Sequence, residues 1–337
     1  MNSSTSISER PTWGRILRLY AAGCPLLLLL IAFLLIGLDP YDSGRLAFAD
    51  GYGVPASLGP RLTAASTARA PDAEAAIIGN STIELLQPAR LLELTKMRFV
   101  SLAIAGTGPT EQLTVARWFL GHHSAASGGS PKALVFGLDR GWCEADGLLA
   151  ITNPFPFWLY SPSIVEYALR MLQLKTFESA DRKVKLMLGR AEKLRPDGYR
   201  DYETGHDWNK AAAERVFAEA EGDAVVPDPP DFAAVALLRE YLGALPLATK
   251  VVLVFPPRHF SALPPAGSAT ARLETQCKTA YRALGAVHKQ TAIIDLAVDG
   301  NIARDDQDFW DKVHYRGPVA RRIEDAIASA LQTEIAE

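Results

Sequence analysis

A serine, an aspartate and a histidine stand in two short motifs near opposite ends of the chain. Ser81 lies in GNST, whereas Asp311 and His314 lie three residues apart in FWDKVHYRG. A serine hydroxyl becomes a good nucleophile when a histidine takes its proton and a carboxylate orients that histidine. These residue types can therefore carry out acyl transfer. The alternative is structural, because Ser81 and Glu84 also match a helix-capping box, and the other two could be solvated loop residues.

Short apolar segments alternate with helical patterns from residue 75 onwards. We interpret as buried strands residues 75–78, 99–104, 133–138, 251–255 and 292–295. Helical patterns between them include residues 83–96, 111–123 and 269–289. This alternation predicts an α/β fold with a parallel sheet covered on both faces. Ligands of such sheets gather beyond the carboxyl ends of the strands, where both motifs are placed.

Other residues that follow the predicted strands are candidates for binding. Gly106 follows the second strand, where a backbone N–H could point at a ligand. Asp139 follows the third strand, and Arg258 and His259 follow the fourth. His259 is an alternative base, although PPRHF offers it no neighbouring carboxylate, and Arg258 suits an anionic group. The cysteines show no metal-ligand spacing, and we expect neither a metal nor a cofactor.

An uncharged apolar run occupies residues 19–38, which is long enough to span a hydrocarbon core. Three arginines precede the run and two aspartates follow it. The positive-inside rule then predicts a single-pass anchor in the inner (cytoplasmic) membrane, with the N-terminus in the cytoplasm and the rest periplasmic or otherwise extracytoplasmic. A cleaved signal peptide is the alternative. The formal charge of −3 and the lack of a basic run argue against a nucleic-acid partner.

We divide the chain into four parts. Residues 1–18 form a cytoplasmic tail and residues 19–38 the anchor. Residues 39–74 form a lead-in that is rich in Gly, Pro, Ala and Ser, and residues 75–337 form a globular domain. The alternation of predicted strands and helices is interrupted over residues 140–231. We interpret this segment as a mostly helical insertion that could cap the site. Cys24 lies in the apolar run, which leaves Cys143 and Cys277 as a possible disulfide pair.

The two motifs resemble those of the SGNH (GDSL-like) hydrolase superfamily. GNS stands where that family has its GDS block, and DKVH stands where it has D-x-x-H before a closing helix, over residues 75–334 apart from the insertion. The resemblance implies a flavodoxin-like three-layer fold. It also implies that Ser81 is the nucleophile, His314 the general base and Asp311 its orienter. The N–H groups of Ser81 and Gly106 would form part of an oxyanion hole.

One block departs from the family pattern. The family's third block usually supplies an asparagine side chain to the oxyanion hole, whereas GLDRG places Asp139 near that position. An ionised aspartate only accepts hydrogen bonds, and its charge repels an oxyanion. Loss of one donor costs about 10²–10³ in rate. Either another group such as Asn80 donates, or Asp139 is protonated, or activity is weak or absent.

The apolar run, the DPY-type lead-in and the serine domain resemble the membrane-tethered partners of MBOAT-type acyltransferases. This resemblance implies an acyltransferase or esterase that acts on O-acyl groups, acetyl in the first instance, of a cell-envelope or exported polysaccharide. It also implies a multi-spanning MBOAT-type membrane partner. The alternative is a catalytically weak or inactive protein that binds glycan or assembles an envelope complex. A secreted esterase is a third reading, which requires a cleaved N-terminus.

Overall fold

Five short strands form one sheet in the computed structural model, which describes residues 13–45, 51–126, 130–144, 154–219 and 232–333. The strands are β1 Ala75–Gly79, β2 Phe99–Ala103, β3 Ala133–Gly137, β4 Lys250–Phe255 and β5 Thr291–Asp295. All of them begin and end within one residue of the predicted bounds. β1, β2 and β3 are buried at every position, which is why continuous apolar runs encode them.

The strand order is β2-β1-β3-β4-β5, and every neighbouring pair is parallel. This flavodoxin-like order confirms the predicted α/β class. The order reverses beside β1, because β2 pairs with one of its edges and β3 with the other. A crevice opens at such a switch point, beyond the carboxyl ends of these strands. Residues that directly follow β1 and β3 therefore face a candidate site.

Helices cover both faces of the sheet and complete three layers. Their bounds are α1 Trp13–Leu38, α2 Pro60–Thr67, α3 Pro88–Thr95, α4 Pro109–Ala126, α5 Phe157–Tyr160, α6 Ile164–Arg170, α7 Leu174–Met187, α8 Lys210–Ala218, α9 Ala233–Gly243, α10 Ala269–Arg282 and α11 Gly317–Gln332. One apolar cluster joins Ile78 to α4, α9 and α10, and a second joins Ile77 to α3 and α11. Adjacent strand residues point to opposite faces, so the two isoleucines serve different cores.

The helix predicted over residues 83–96 is shorter than expected. A 3₁₀ turn, Ser81–Ile83, follows β1, and α3 begins only at Pro88. Proline is favourable in the first turn of a helix, because the N–H that it lacks would have no intrahelical partner there. Pro88 therefore starts α3 instead of lying inside it.

The N-terminal helix α1 is long and apolar enough to cross a membrane. It has 26 residues, and an 18-residue stretch of it has a mean hydropathy of 2.6, which suits a single-pass anchor or a signal sequence. Most of its side chains are exposed, but Leu35 and Gly37 in its last turns are buried against the domain. Asp39 and Tyr41, which follow directly, are each only 1% exposed. The end of α1 is therefore part of the domain's core.

Hydrogen bonds tie residues 39–43, here called the anchor turn, to the helices of the insertion. Tyr167 of α6 donates its hydroxyl to Asp39 Oδ1 at 3.2 Å. Tyr41 donates its own hydroxyl to Thr176 Oγ1 of α7 at 3.1 Å. All four side chains are buried. The anchor turn therefore joins the end of α1 to the domain through buried hydrogen bonds.

Candidate active site

Ser81 lies immediately beyond the carboxyl end of β1, at the switch point. The chain turns there because Asn80 caps the 3₁₀ turn, its Oδ1 accepting the backbone N–H of Thr82 at 3.0 Å. Ser81 is therefore not the capping residue that the S-x-x-E pattern allowed. Its hydroxyl is directed instead at His314, with 2.8 Å between Ser81 Oγ and His314 Nε2.

The D-x-x-H motif lies in the loop between β5 and α11. Asp311 Oδ1 accepts the backbone N–H groups of Val313 and His314, both at 2.8 Å, and Oδ2 lies 2.7 Å from His314 Nδ1. These bonds explain the three-residue spacing, since one carboxylate folds the turn and orients the ring. Burial raises the pKa of Asp311, but the hydrogen bonds from His314 and the backbone outweigh it and leave the pKa below its usual value. Ser81, His314 and Asp311 thus form one hydrogen-bonded chain.

Two backbone N–H groups beside Ser81 are free to donate. Within the described residues, neither the N–H of Ser81 nor that of Gly106 has a hydrogen-bond partner in the protein. Gly106 has a φ of 64°, a conformation that favours glycine. Arg61 of α2 holds its loop, because Nη2 donates to the carbonyl oxygens of Ala105 and Gly106 at 2.9 and 2.8 Å. These are the two N–H groups that the family resemblance assigns to the oxyanion hole.

Asn80, which is buried, and Asp139, which is partly buried, form a pair at the same switch point. Because Asn80 Oδ1 faces Thr82, its Nδ2 faces Asp139 and donates to Oδ2. Burial raises the pKa of Asp139 to about 6, although the hydrogen bond from Asn80 opposes that rise. Asp139 Oδ1 is buried without a hydrogen-bond partner in the described part of the chain. The Asn80 amide is therefore engaged with Asp139.

Arg258 and His259 are directed to other partners. Both oxygens of Glu274 accept from Arg258 Nη2 at 2.7 Å. The His259 ring is 1% exposed, lies 3.1 Å from Asp306 Oδ1 through Nε2, and stacks on Phe217 with ring centroids 3.7 Å apart. Among the described residues, neither side chain hydrogen-bonds to Ser81, His314 or Asp311. The PPRHF motif has no carboxylate for His259, and Asp306, 47 residues further along the chain, supplies it.

Glu203 of the insertion fastens the loop that carries the D-x-x-H motif. Its Oε1 accepts the indole N–H of Trp310 at 2.9 Å, and its Oε2 accepts the backbone N–H of Gly317 at 2.9 Å. These two residues flank the motif. The adjacent Tyr202 packs edge-on against His314, with ring centroids 5.9 Å apart. Sequence reasoning missed Glu203, because it lies in a loop without a periodic pattern or motif.

Glu84 places a second carboxyl group close to the histidine. Its side chain is buried, with 9% of the residue exposed. Burial raises its pKa, while the charges of Arg200 and His314 lower it. The S-x-x-E pattern suggested that the Glu84 side chain takes part in an N-terminal cap, but Asn80 provides that cap and Glu84 ends the 3₁₀ turn. Its proximity to His314 depends on the fold and has no sequence signal.

A disulfide joins Cys143 to Cys277 across 134 residues. Cys143 ends the 3₁₀ turn that follows Asp139, and Cys277 lies in α10. Tyr281, one helical turn further along α10, donates its hydroxyl to the carbonyl oxygen of Trp142 at 2.9 Å. The segment that carries Asp139 is therefore fixed to α10 covalently and by a hydrogen bond.

Comparisons with known proteins give little to set beside this geometry. No protein-family model matches the chain, and no curated protein matches it either. A solved structure described as "a putative platelet activating factor from Streptococcus pneumonia" shares 11% sequence identity with it. The alignment covers 77% of this chain and 84% of that chain, with a TM-score of 0.36. The function of the present chain therefore has to be argued from its own site.

Proposed function

We propose that the chain is a membrane-anchored, extracytoplasmic serine acyltransferase or esterase. The observation that carries the proposal is the hydrogen-bonded chain from Ser81 Oγ through His314 to Asp311. It lies at the switch point of the sheet, where ligands of such folds bind. Ser81 and His314 are both partly accessible, as a nucleophile and its base must be.

In the first half of the reaction, His314 Nε2 takes the hydroxyl proton of Ser81 while Oγ attacks the acyl carbonyl carbon. The bond to the leaving group breaks as the imidazolium returns the proton to it, and the acyl group remains as an ester on Ser81. A sugar hydroxyl, or water in an esterase, then gives its proton to His314 and attacks that ester. The imidazolium returns the proton to Ser81 Oγ as the bond between Oγ and the acyl carbon breaks. Asp311 remains ionised and stabilises the imidazolium in both halves.

The oxyanion that forms at the acyl carbonyl needs donors that are fixed before the reaction. The N–H groups of Ser81 and Gly106 supply two, and Arg61 keeps the second of them in place through the carbonyl oxygens of its loop. Asp139 repels the oxyanion when it is ionised. Its pKa of about 6 leaves it mostly ionised at neutral pH. We therefore expect the acyl-enzyme to form more slowly than it would with an asparagine at position 139.

Three features support an uncleaved anchor and an extracytoplasmic domain. Cleavage of α1 would remove Leu35 from the core and leave the anchor turn at a free end. The disulfide between Cys143 and Cys277 suits an oxidising compartment. The arginines before the apolar run favour a cytoplasmic N-terminus. We therefore infer a single-pass protein of the inner membrane with its domain on the outer side.

The acceptor that we propose is a hydroxyl of a cell-envelope or exported polysaccharide, and the transferred group is acetyl. A multi-spanning MBOAT-type membrane protein would present the acyl group. Support comes from the resemblance of the motifs and lead-in, and from an anchor that keeps the domain beside such a partner. Tethering two proteins to one membrane raises the concentration at which they meet.

A glycan-binding or assembly role is the second candidate, and Asp139 is the observation that favours it. Its buried carboxyl stands where the family has a donor, and it engages the Asn80 amide that could have replaced that donor. A site of this kind could hold a glycan hydroxyl without acylating Ser81 at a useful rate.

Intact-mass spectrometry separates the two candidates. The full chain in detergent is exposed to p-nitrophenyl acetate, with Ser81→Ala and Ser261→Ala as matched variants. The full chain is used, with residues 13–45 included, because the anchor turn belongs to the core of the domain. We expect one acetyl adduct in the parent and in Ser261→Ala, and none in Ser81→Ala. A folded parent without an adduct would favour the binding role, and an adduct that survives Ser81→Ala would refute the assignment of the nucleophile.

A further inference from the structure

Exposed apolar side chains are concentrated in one part of the insertion. Outside α1, fifteen large apolar side chains are exposed among the described residues, and nine of them lie within residues 157–188. Six of these nine form one surface on or beside α6 and α7. They are Val165 and Leu169 of α6, Leu174, Phe177 and Val184 of α7, and Leu188, which directly follows α7. We call the surface formed by these six residues the α6–α7 face. Apolar patches of this kind on a soluble protein usually mark a contact surface.

Helix α7 packs with its less apolar side inward. Its buried residues are Thr176, Ser179, Ala180 and Lys183. Residues 174, 177, 184 and 188 are spaced so that they share the opposite, outer side of the helix. An amphipathic helix on a soluble domain normally buries its apolar side instead. An apolar environment outside the domain would therefore explain the orientation of α7.

The outer side of α7 is not purely apolar. Asp181 lies within the same stripe and pairs with Lys185, their charged atoms being 2.6 Å apart. Lys175 is exposed next to Leu174. Lysine side chains can extend their charged ends from an apolar surface into water. Such a mixture suits the boundary between acyl chains and headgroups better than the middle of a bilayer.

The position of α6 and α7 along α1 indicates their depth. Both helices pack against α1, and packed helices lie about 8–10 Å apart between axes. Every residue of α1 up to Leu30 is exposed, and buried or half-buried residues occur only from Ile31 onwards, so the domain contacts only the last ~12 Å of the helix. An apolar segment of about 20 residues that ends at Leu38 spans a hydrocarbon core of about 30 Å. α6 and α7 therefore lie beside the part of α1 that occupies one leaflet.

The anchor turn holds α6 and α7 at that depth. Tyr167 of α6 and Thr176 of α7 are bonded to Asp39 and Tyr41, directly after the last turn of α1. A flexible linker would let the domain move away from the membrane, whereas these buried bonds do not. The depth of α6 and α7 is therefore fixed as soon as α1 is inserted.

We propose that the α6–α7 face lies in the membrane interface of the leaflet in which α1 ends, so that the domain is seated on the bilayer and not merely tethered to it. The lipid boundary is the occupant because α6 and α7 pack against α1 and lie at the depth of its last turns. The proposal rests on α1 spanning the membrane, which belongs to the proposed function. It does not depend on the reaction at Ser81.

Spin labels on the full chain in nanodiscs test this proposal. The discs contain phosphatidylethanolamine and phosphatidylglycerol, and Cys24, the exposed free cysteine of the described part, is replaced by serine. Labels are placed one at a time by Leu174→Cys and Leu188→Cys. Leu247→Cys provides a matched control, because Leu247 is 72% exposed in the turn before β4. The measurement is the ratio of collision accessibility to oxygen, which concentrates in lipid, and to a water-soluble nickel chelate.

We expect the ratio at 174 and 188 to exceed that at 247 severalfold. A label introduced by Leu28→Cys in α1 separates the two ways to fail. A lipid-like ratio at 28 with water-like ratios at 174 and 188 would overturn the seating and leave the anchor intact. Water-like ratios at all these positions would overturn both. Protection of 174 and 188 from both reagents, in discs that hold two copies by mass photometry, would show a second copy on this face and also overturn the proposal.

Discussion

Two histidines of this protein each lie between a serine and an aspartate, yet the two surroundings differ in almost every other respect. The two sets are Ser81–His314–Asp311 and Ser261–His259–Asp306. The serine oxygen lies 2.8 Å from the ring in both. The side chain of His314 is 29% exposed, whereas that of His259 is 1% exposed. Residue types and distances alone would not tell them apart.

The bonding pattern separates the two sets. His314 turns Nδ1 to its aspartate and Nε2 to a serine 233 residues away, on the turn after β1. His259 turns Nε2 to its aspartate and Nδ1 to Ser261, two residues further on, whose backbone N–H points at the same nitrogen. The second arrangement is a local cap of a 3₁₀ turn, closed over by the stacked ring of Phe217.

The comparison indicates that position in the sheet and access to solvent distinguish Ser81 from Ser261 as a candidate nucleophile. Ser81 is partly exposed at the switch point of the sheet, and neither its own N–H nor that of Gly106 has a hydrogen-bond partner among the described residues, so both can donate to an acyl carbonyl. Ser261 is directed at a ring that is sealed in the core. We expect the first set to perform chemistry and the second to stabilise the loops after β4 and β5.

The strongest way to break this comparison is to remove each histidine. His314→Ala should reduce labelling by a fluorophosphonate by as much as about 10⁶-fold, because Ser81 loses its base. His259→Ala should leave labelling of the folded protein unchanged, while its melting temperature falls, since a cavity and unpaired polar groups remain in the core. Gel-based labelling and circular dichroism measure the two effects. Equal loss of labelling in both variants, with both folded, would contradict the distinction.

Replacing the carboxyl beside Asn80 sharpens the difference between the two sets. Asp139→Asn should raise the rate of acetylation of Ser81 at pH 7.5 by up to about 10²-fold, because a repelling charge becomes a possible donor. Stopped-flow detection of p-nitrophenol measures the burst. Asp306→Asn, at the buried histidine, is the matched control and should leave the burst rate unchanged. A slower burst in Asp139→Asn would mean that the carboxylate itself assists the reaction.

The same variant has a pH signature in stability. Asp139 has a folded pKa of about 6, above the usual 3.8, so the folded state holds its proton more tightly than the unfolded state does. Stability relative to Asp139→Asn is therefore complete below about pH 4 and declines as the pH rises through 6, by on the order of 3 kcal/mol. Urea unfolding at pH 4, 5, 6 and 7 measures it. A difference in unfolding free energy that stays constant with pH would show that burial does not raise the pKa of Asp139.

An effect no larger than that of Asp139→Asn is expected at Glu203, which holds the loop of the D-x-x-H motif from the insertion. Glu203→Gln should lower kcat for p-nitrophenyl acetate by up to about 10²-fold with little change in KM, because small displacements of a base slow the reaction more than binding. Glu192→Gln, at an exposed position of the same insertion, is the matched control. An unchanged kcat, or a parallel loss of kcat and melting temperature, would deny Glu203 a positioning role.

The strands and the separate motifs could be predicted from the sequence for a clear physical reason. Parallel strands buried on both faces need continuous apolar runs, and such runs are visible without any structure. Carboxyl ends of parallel strands meet at one edge, so GNST and DKVH could be expected near each other. The structure brings Ser81, His314 and Asp311 into hydrogen-bond contact. Their catalytic roles remain predictions.

Contacts between residues that are far apart in the sequence could not be predicted in this way. Glu203 and Asp306 reach their partners across 107 and 47 residues, and neither lies in a motif. The S-x-x-E pattern suggested a cap at Ser81, but Asn80 competes for the same N–H groups and supplies it. For α7, the sequence shows two different sides, but only packing decides which one is buried.

The anchor turn also determines which movements remain to Ser81. Because residues 39–43 join α1 to the domain through buried hydrogen bonds, the domain of an inserted chain can translate in the plane of the bilayer, rotate about its normal and tilt with α1. Its distance from the lipid surface stays nearly constant. With the membrane-bound acyl donor that we propose, the encounter of Ser81 with that donor would be a search in two dimensions at one nearly fixed height. A polymer acceptor would be modified only where it passes through that same thin layer.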